Sequence, residues 1–205
     1  MATGGGSRGG SGRSGPEVRT RHRLAEVLHQ LGAVDRAVYQ AIASVPTPAL
    51  DRAARRLSNS ANNSRLWLGI AAALALTGPS GRRAAVRGVL AIGVTSALVN
   101  LGMKGLAERR RPDRAGAGVP EQRQVAMPAS TSFPSGHAAS AFAFATAISR
   151  DCPWLAIGAQ FLAGAVAYSR VHTGVHYPGD TIAGALIGAA TGQAVSSAFD
   201  RIMGH

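Results

Sequence analysis

The sequence predicts an all-α integral membrane protein: a helical bundle with about five transmembrane spans, preceded by amphipathic helices at the N-terminus. Beyond residue 65, Ala, Leu, Gly, Val and Ile gather in long runs with almost no acidic residues. Turn residues such as Gly78, Pro79 and Pro153 separate these runs. Before residue 65, apolar residues instead recur at helical spacing among many arginines.

The chain is strongly basic, with 22 Lys and Arg residues, 10 acidic residues and a net charge of +12. Such a net positive charge indicates that the partner is either nucleic acid or an anionic membrane surface. The apolar runs favour the membrane, because a nucleic-acid module would intersperse basic with aromatic residues, and only five Phe, three Tyr and two Trp occur. We therefore expect membrane lipids, and no nucleic acid, as partners.

Three regions follow one another along the chain. Residues 1–20 form a basic Gly, Ser and Arg tail of low complexity, for which we expect disorder. Residues 21–58 predict amphipathic helices that lie at the membrane interface, since Asp35 and Arg36 disfavour a span there. Residues 59–205 predict the transmembrane domain.

Five apolar segments are the predicted spans: 66–77, 84–103, 137–148, 154–168 and 180–199. The first is shorter than the roughly 20 residues that a straight span requires. Arg87 lies close enough to the start of the second for its side chain to reach the interface. The fifth carries a stripe of small residues at every fourth position: Gly184, Gly188 and Gly192. Such a stripe lets another helix approach closely, either in this chain or in a homo-oligomer.

Polar residues gather in three clusters at the ends of these spans. The clusters are Lys104-x6-Arg111-Pro112, Pro134-Ser135-Gly136-His137, and Ser169-Arg170-x5-His176-x3-Asp180. The second and fourth spans lead to one face of the membrane, and the third and fifth leave it. All three clusters are therefore predicted to meet on the same face.

The residue types in the clusters suit cleavage of a phosphate ester. Arginine side chains and the backbone amides of a helix start bind phosphate oxygens, and Lys104 adds a compact ammonium group. Asp180 follows His176 by four residues, where a carboxylate can fix the imidazole tautomer and leave the other nitrogen free to attack phosphorus. His137 is then expected to protonate the departing oxygen.

A metal site is the alternative for the same residues, because His137, His176 and Asp180 resemble a set of two histidines and one carboxylate that binds iron or zinc. The cations of the three clusters would repel a metal ion, whereas they suit an anion. We therefore expect neither a metal nor another cofactor.

Four further polar residues near the clusters have no assigned chemistry. His172 lies close to His176 in sequence but has no place in the pattern. Arg109, Arg110 and Arg114 are expected either to attract lipid headgroups and substrate or to be solvated.

Taken together, the three clusters are similar to the signature motifs of the type 2 phosphatidic acid phosphatase superfamily, and all three match in full. The resemblance covers Lys104 to Asp180. It implies a helical membrane core, a phosphohistidine intermediate on His176, proton donation by His137 and no metal. It also implies phosphate binding by residues of all three motifs: Lys104, Arg111, Ser135, Gly136 and Arg170. Six spans are common in this family, whereas this sequence suggests five.

The chain is thus predicted to be a metal-independent lipid phosphatase that hydrolyses a phosphomonoester or diphosphate of a polyprenyl-linked lipid or a glycerolipid. Residues 59–205 would be its catalytic domain. One alternative is a phosphotransferase that passes the phosphoryl group to an acceptor other than water. The other is a non-catalytic membrane protein that binds a lipid phosphate.

The distribution of basic residues predicts the orientation. The face of the clusters carries the N-terminal arginines and the basic loop 104–136, whereas the opposite face carries five: Arg82, Arg83, Arg87, Arg150 and Arg201. The positive-inside rule then predicts a multi-pass protein of the plasma membrane with a cytoplasmic catalytic face. A cytoplasmic site favours a lipid phosphate made inside the cell, such as a polyprenyl-phosphate-linked sugar phosphate used in cell-envelope biosynthesis.

Overall fold

The computed structural model describes residues 16–103, 105 and 108–204, and every regular element among them is helical, as the sequence predicts. These residues form seven α-helices: α1 (Pro16–Ser44), α2 (Pro48–Ser60), α3 (Arg65–Ala75), α4 (Pro79–Ala97), α5 (Gly136–Ala147), α6 (Pro153–His172) and α7 (Pro178–Met203). A π-helical turn, Leu98–Met103, continues α4. Short 3-10 turns cover three further segments: Asn62–Ser64, Glu121–Arg123 and Ile148–Arg150.

The first helix, α1, begins at Pro16, within the tail for which we expected disorder. Proline suits the first turn of a helix because its missing N–H would have no helical partner there. The chain divides into two compact units at Val34, inside this helix. In the first unit, an apolar set of side chains is exposed: Val27, Leu28, Leu31 and Val34. An exposed apolar face of this kind is what an interfacial helix requires.

In the second unit, α2 turns a partly polar face toward the protein, with Asp51 and Ser58 buried. The Asp51 carboxylate accepts hydrogen bonds from His172 Nε2 at 2.8 Å and from Arg123 Nε at 2.9 Å. Arg123 is fully buried and also donates to backbone carbonyls at the end of α1 and just beyond it. A buried ion pair therefore joins α2 to the Glu121–Arg123 turn, and a hydrogen bond to the same carboxylate joins α2 to the end of α6.

The alanine-rich helix α5 packs against α4, α6 and α7. Eight of its 12 residues are buried, and most of these are small enough for α7 to approach the backbone. A Cβ atom on any glycine of the stripe would overlap a backbone carbonyl oxygen in or just before α5: Gly184, Gly188 and Gly192. The partner of the stripe is therefore α5 of the same chain. The homo-oligomer that the stripe suggested is wrong for this surface, because α5 already occupies it.

Two of the five predicted spans are long and apolar enough to cross a membrane by length and composition. They are Pro79–Met103, with a mean hydropathy of 1.6, and Pro178–Met203, with 1.3. Among the other three, α3 has 11 residues and α5 has 12, fewer than a straight span requires. The remaining spans stay predictions.

Arg87 does not extend toward the interface as predicted. Its side chain is only 4% exposed, and Nε lies 2.8 Å from Asp151 Oδ2. The same guanidinium pairs with Asp200, donates to the Ser196 carbonyl at 3.0 Å and lies over the Phe199 ring. The middle of α4 is therefore joined to the α5–α6 turn and to the end of α7 by a buried charge cluster.

Alanine at position 188 should destabilise the protein, because the added methyl group meets the Ala139 carbonyl and forces α5 and α7 apart. Overpacking of this kind costs about 1–3 kcal/mol. The matched control is Gly158→Ala on α6, where a Cβ has no neighbour within 4 Å. Thermal unfolding in detergent, followed by circular dichroism, compares the two variants. Equal melting temperatures would contradict the close α5–α7 contact.

Candidate active site

The loop between α6 and α7 positions the histidine and carboxylate of the third motif. Val175 and His176 donate their amides to the Arg170 carbonyl at 3.1 and 3.3 Å, in a tight turn where Gly174 has a φ of 73°. Only glycine adopts this left-handed conformation readily. His176 Nδ1 lies 3.5 Å from Asp180 Oδ2. The carboxylate therefore faces Nδ1 and leaves Nε2 on the other side of the ring.

Asp180 is completely buried, and donors from separate segments surround it. Oδ2 accepts from the Ser132 hydroxyl and from the Tyr177 amide, which lies 2.9 Å away. Oδ1 accepts from Arg109 NH1 at 2.8 Å, and Arg109 also pairs with Asp35 of α1. These contacts fix the carboxylate on the Nδ1 side of the His176 ring.

The Arg109 contacts change the role we expected for the arginines of the loop. Arg109 pairs with two carboxylates, those of Asp35 and Asp180, which gives it a structural role. Arg114 donates to the Gly174 carbonyl at 3.2 Å and to the Val125 carbonyl at 2.8 Å. Arg110 is exposed, so its role in attracting headgroups or as a solvated charge stays a prediction.

Arg111 is held beside the other ring nitrogen of His176. Its NH1 group donates to the Val175 carbonyl at 2.7 Å and lies 3.4 Å from His176 Nε2. Its Nε group donates to the Ser130 carbonyl at 2.8 Å. Burial lowers the pKa of this guanidinium, a change that the Asp180 charge partly offsets. A cation is therefore fixed next to the nitrogen predicted to attack phosphorus.

The second motif forms the start of α5. The Ser135 hydroxyl caps the helix by accepting from the Ala138 amide at 3.5 Å, and the Ser135 amide donates to the Asp180 carbonyl at 2.9 Å. Ser135 is fully buried, so its polar groups serve the helix start and its link to α7. Gly136 and His137 follow it at the N-terminal end of the helix.

A cavity of about 190 Å³ brings the three motifs together. Each motif contributes to its lining: Arg111 from the first, Gly136 and His137 from the second, and His176 from the third. His137 is held by Asn62, whose Oδ1 lies 2.9 Å from His137 Nε2. The predicted nucleophile and general acid therefore line the same cavity.

Arg170, which is also predicted to bind phosphate, lies outside this lining. Arg170 is 1% exposed, its NH1 group donates to the Ser58 hydroxyl at 2.5 Å, and its Nε has no partner among the described residues. Lys104 lies outside the described residues. His172 is engaged at both ring nitrogens, by Asp51 and by the Tyr168 hydroxyl at 3.3 Å, and is structural.

Sequence reasoning missed two residues around the site, Ser58 and Asn62, and it missed the ion pairs of Arg109. Arg109 gives no sequence signal of its pairing, because its carboxylate partners are remote in the chain. A signal did exist for Asn62. Asn62 lies in the turn before the first predicted span. The alternation of spans places this turn on the same membrane face as the three clusters.

Burial is the main reason why the pKa of His176 falls from 6.5 to about 4, and the Arg111 and Arg170 charges lower it further. The imidazole is therefore neutral at physiological pH, as a nucleophile must be. Among the described residues, no group of three or more His, Cys, Asp or Glu is placed to hold a metal ion. The nearby Arg111 cation also disfavours a metal at Nε2.

The three motifs and their shared cavity agree with the comparison to known families. Residues 84–203 match the PAP2 superfamily. The chain belongs to this superfamily. The decaprenylphosphoryl-5-phosphoribose phosphatase of Mycobacterium tuberculosis H37Rv is 34% identical over 158 residues, which cover 76% of this chain and 84% of that relative. The lipid A 4'-phosphatase of Bacteroides thetaiotaomicron is 45% identical over 60 residues, 27% of this chain and 26% of that protein.

Solved structures show the same fold in membrane PAP2 phosphatases. The transmembrane PAP2 type phosphatidylglycerolphosphate phosphatase of Bacillus subtilis superposes with a TM-score of 0.67 at 25% identity, over 87% of this chain and 92% of that one. Aquifex aeolicus LpxE gives a TM-score of 0.63 at 24% identity, over 78% of this chain and 93% of its own. The protein is therefore an integral membrane phosphatase of the lipid phosphatase class, which confirms the predicted family and enzyme class.

His176 should make the protein less stable in acid. Its pKa is about 4 in the folded protein and 6.5 ordinarily, so between these values the unfolded chain binds a proton that the folded chain does not. Stability present above pH 6.5 should be lost as the pH falls toward 4, by up to about 3 kcal/mol. In a profile of melting temperature against pH, His176→Gln should reduce this loss. An unchanged slope would contradict a buried neutral imidazole.

Asn62→Asp should move the basic limb of the kcat/KM profile to higher pH, because a carboxylate beside the imidazole stabilises the protonated form of His137. The matched control is Asn59→Asp, which adds the same charge at an exposed position of α2. Phosphate release from a lipid phosphate between pH 5 and 10 gives both profiles. The assignment of His137 as general acid would be wrong if the basic limb stayed in place.

Proposed function

We propose that this phosphatase hydrolyses a phosphomonoester of a lipid through a phosphohistidine intermediate on His176. The observation that carries the proposal is the shared cavity, where Arg111 lies 3.4 Å from His176 Nε2 and His137 contributes to the same wall. Asp180 faces Nδ1, so a proton on Nδ1 leaves the Nε2 lone pair free for attack. Each role needed for phosphoryl transfer then has a residue.

The reaction proceeds in two displacements. In the first, His176 Nε2 forms a bond to phosphorus, the bond from phosphorus to the lipid oxygen breaks, and His137 gives its proton to that oxygen. In the second, His137 takes a proton from water, the water oxygen attacks phosphorus, and the bond between phosphorus and Nε2 breaks. Inorganic phosphate leaves, and both histidines return to their starting states.

Charge stabilisation comes from groups around the cavity. We assign Arg111 and the amide at Gly136 to direct contact with phosphate oxygens, and the start of α5 adds the positive end of a helix dipole. Arg170 lies behind this layer and contributes its positive charge from a buried position. Ser135 supports the site by capping α5, and Lys104 is proposed as a further phosphate ligand from the first motif.

For the substrate, the relatives favour a phosphate on a polyprenyl-linked sugar. The mycobacterial relative is named for decaprenylphosphoryl-5-phosphoribose and aligns with most of this chain. The Bacillus structure is named for a glycerolipid phosphate, and its identity to this chain is lower. We therefore propose a polyprenyl-phosphate-linked sugar phosphate as the preferred substrate and a glycerolipid phosphate as the second choice.

For the membrane arrangement, we propose five spans in the plasma membrane, interfacial N-terminal helices and a cytoplasmic catalytic face. The two long apolar helices and the excess of basic residues on the side of the site support this topology. Cysteines are introduced at exposed positions of residues 115–125 and labelled with a reagent that does not cross the membrane. The labelling reports on which side of the membrane this loop lies. Labelling from outside the cell alone would exclude the cytoplasmic orientation.

His176→Ala should reduce phosphate release from a polyprenyl-linked sugar phosphate by about 10³-fold or more, because the nucleophile is lost. The matched control is His29→Ala at an exposed position of α1, which should retain full activity. Wild-type turnover should persist in the presence of a chelator. Mass spectrometry of acid-quenched wild-type protein should detect phosphate on His176 during turnover. Full activity in His176→Ala would exclude the mechanism.

A further inference from the structure

A second set of side chains lines the catalytic cavity and belongs to none of the three motifs. These residues are neutral and polar, and they come from the turn between α2 and α3 and from the end of α4: Asn63, Ser64, Ser96 and Asn100. Phosphate binding does not require them, because cations and helix amides already supply that chemistry. Their presence indicates that the cavity binds a second polar group of the substrate besides the phosphate.

The turn before α3 has an unusual backbone. Asn63 and Ser64 have φ values of 52° and 58°, in the left-handed region that side chains other than glycine rarely adopt. Neither side chain has a hydrogen-bond partner in the described part of the chain. Asn62, the residue before them, holds the general acid His137. The turn therefore presents free amide and hydroxyl groups next to the leaving-group side of the reaction.

The end of α4 adds a paired amide and hydroxyl. Asn100 Nδ2 donates to Ser96 Oγ at 3.2 Å, which orients the amide and leaves its carbonyl oxygen as an acceptor. Two of the four asparagines of the chain line this cavity, and a third, Asn62, contacts His137 in its lining. Asparagine is otherwise scarce, so its concentration here is consistent with a binding role.

We propose that Asn63, Ser64 and Asn100 form a subsite that binds hydroxyl groups of the headgroup carrying the phosphate. Amides and hydroxyls both donate and accept hydrogen bonds, as sugar hydroxyls do. A diphosphate would instead call for additional cations, and an esterified glycerol offers no hydroxyl to bind. The inference rests on the proposed function and deepens it: the substrate class is a lipid whose phosphate is attached to a sugar or a similar polyol.

The test compares two substrates that carry the same phosphomonoester. One is a polyprenyl-phosphate-linked pentose phosphate, and the other is a phosphatidate, which has no headgroup hydroxyl. Positions 63 and 64 are changed to glycine, because glycine keeps the left-handed backbone while it removes the side chain. Asn63→Gly, Ser64→Gly and Asn100→Ala should each lower kcat/KM for the sugar phosphate by about tenfold, the effect of one neutral hydrogen bond.

The same variants should keep kcat/KM for phosphatidate within about twofold, which also shows that the fold and catalytic residues are intact. The control Asn59→Ala should leave both substrates unchanged. Equal losses on the two substrates, or no loss on either, would overturn the hydroxyl subsite and leave the phosphatase function standing. If the wild-type protein released phosphate from neither lipid, the proposed function itself would fail, and the subsite with it.

Discussion

The buried carboxylate of Asp180 is the interaction on which the site depends. A charge in so buried a position needs compensation by donors and by an opposite charge. Arg109 supplies the charge, and the Ser132 hydroxyl and the Tyr177 amide supply hydrogen bonds. The main chain of Asp180 also accepts from the Ser135 amide. One residue thereby joins the first-motif loop, the start of α5 and the start of α7.

The catalytic histidine has a defined orientation because of this arrangement. With Asp180 on the Nδ1 side, His176 presents Nε2 toward Arg111 and the cavity. Arg109 extends the same network to Asp35 on α1, and Gly179 donates its amide to Asp35 at 2.7 Å. Helix α1 lies before the region that matches the family, residues 84–203, and contains no motif residue. Its Asp35 nevertheless helps to hold the site.

Much of the fold and site could be predicted from sequence, because the signals involved are local or strongly patterned. Apolar runs and turn residues located five of the helices, and motif spacing located the histidines and their carboxylate. The contacts of Ser58 and Arg109 could not be predicted, since their partners are distant in the chain and hydrogen-bond pairing has no periodicity. For Asn62, the alternation of spans indicates the membrane face but not the contact with His137. Arg87 was mistaken for an interfacial residue because its carboxylate partners, Asp151 and Asp200, are visible only in three dimensions.

The charge cluster of Arg87, Asp151 and Asp200 affects the order in which the bundle can assemble during biosynthesis. Arg87 lies in the middle of α4, whereas Asp200 lies near the end of α7, so the ribosome makes the cation long before it makes this partner. Arg87 has two carboxylate partners, and until α7 is inserted only Asp151 is available to it. Native closure of the bundle therefore follows the insertion of α7, and the last helix synthesised completes the charge balance of one made much earlier.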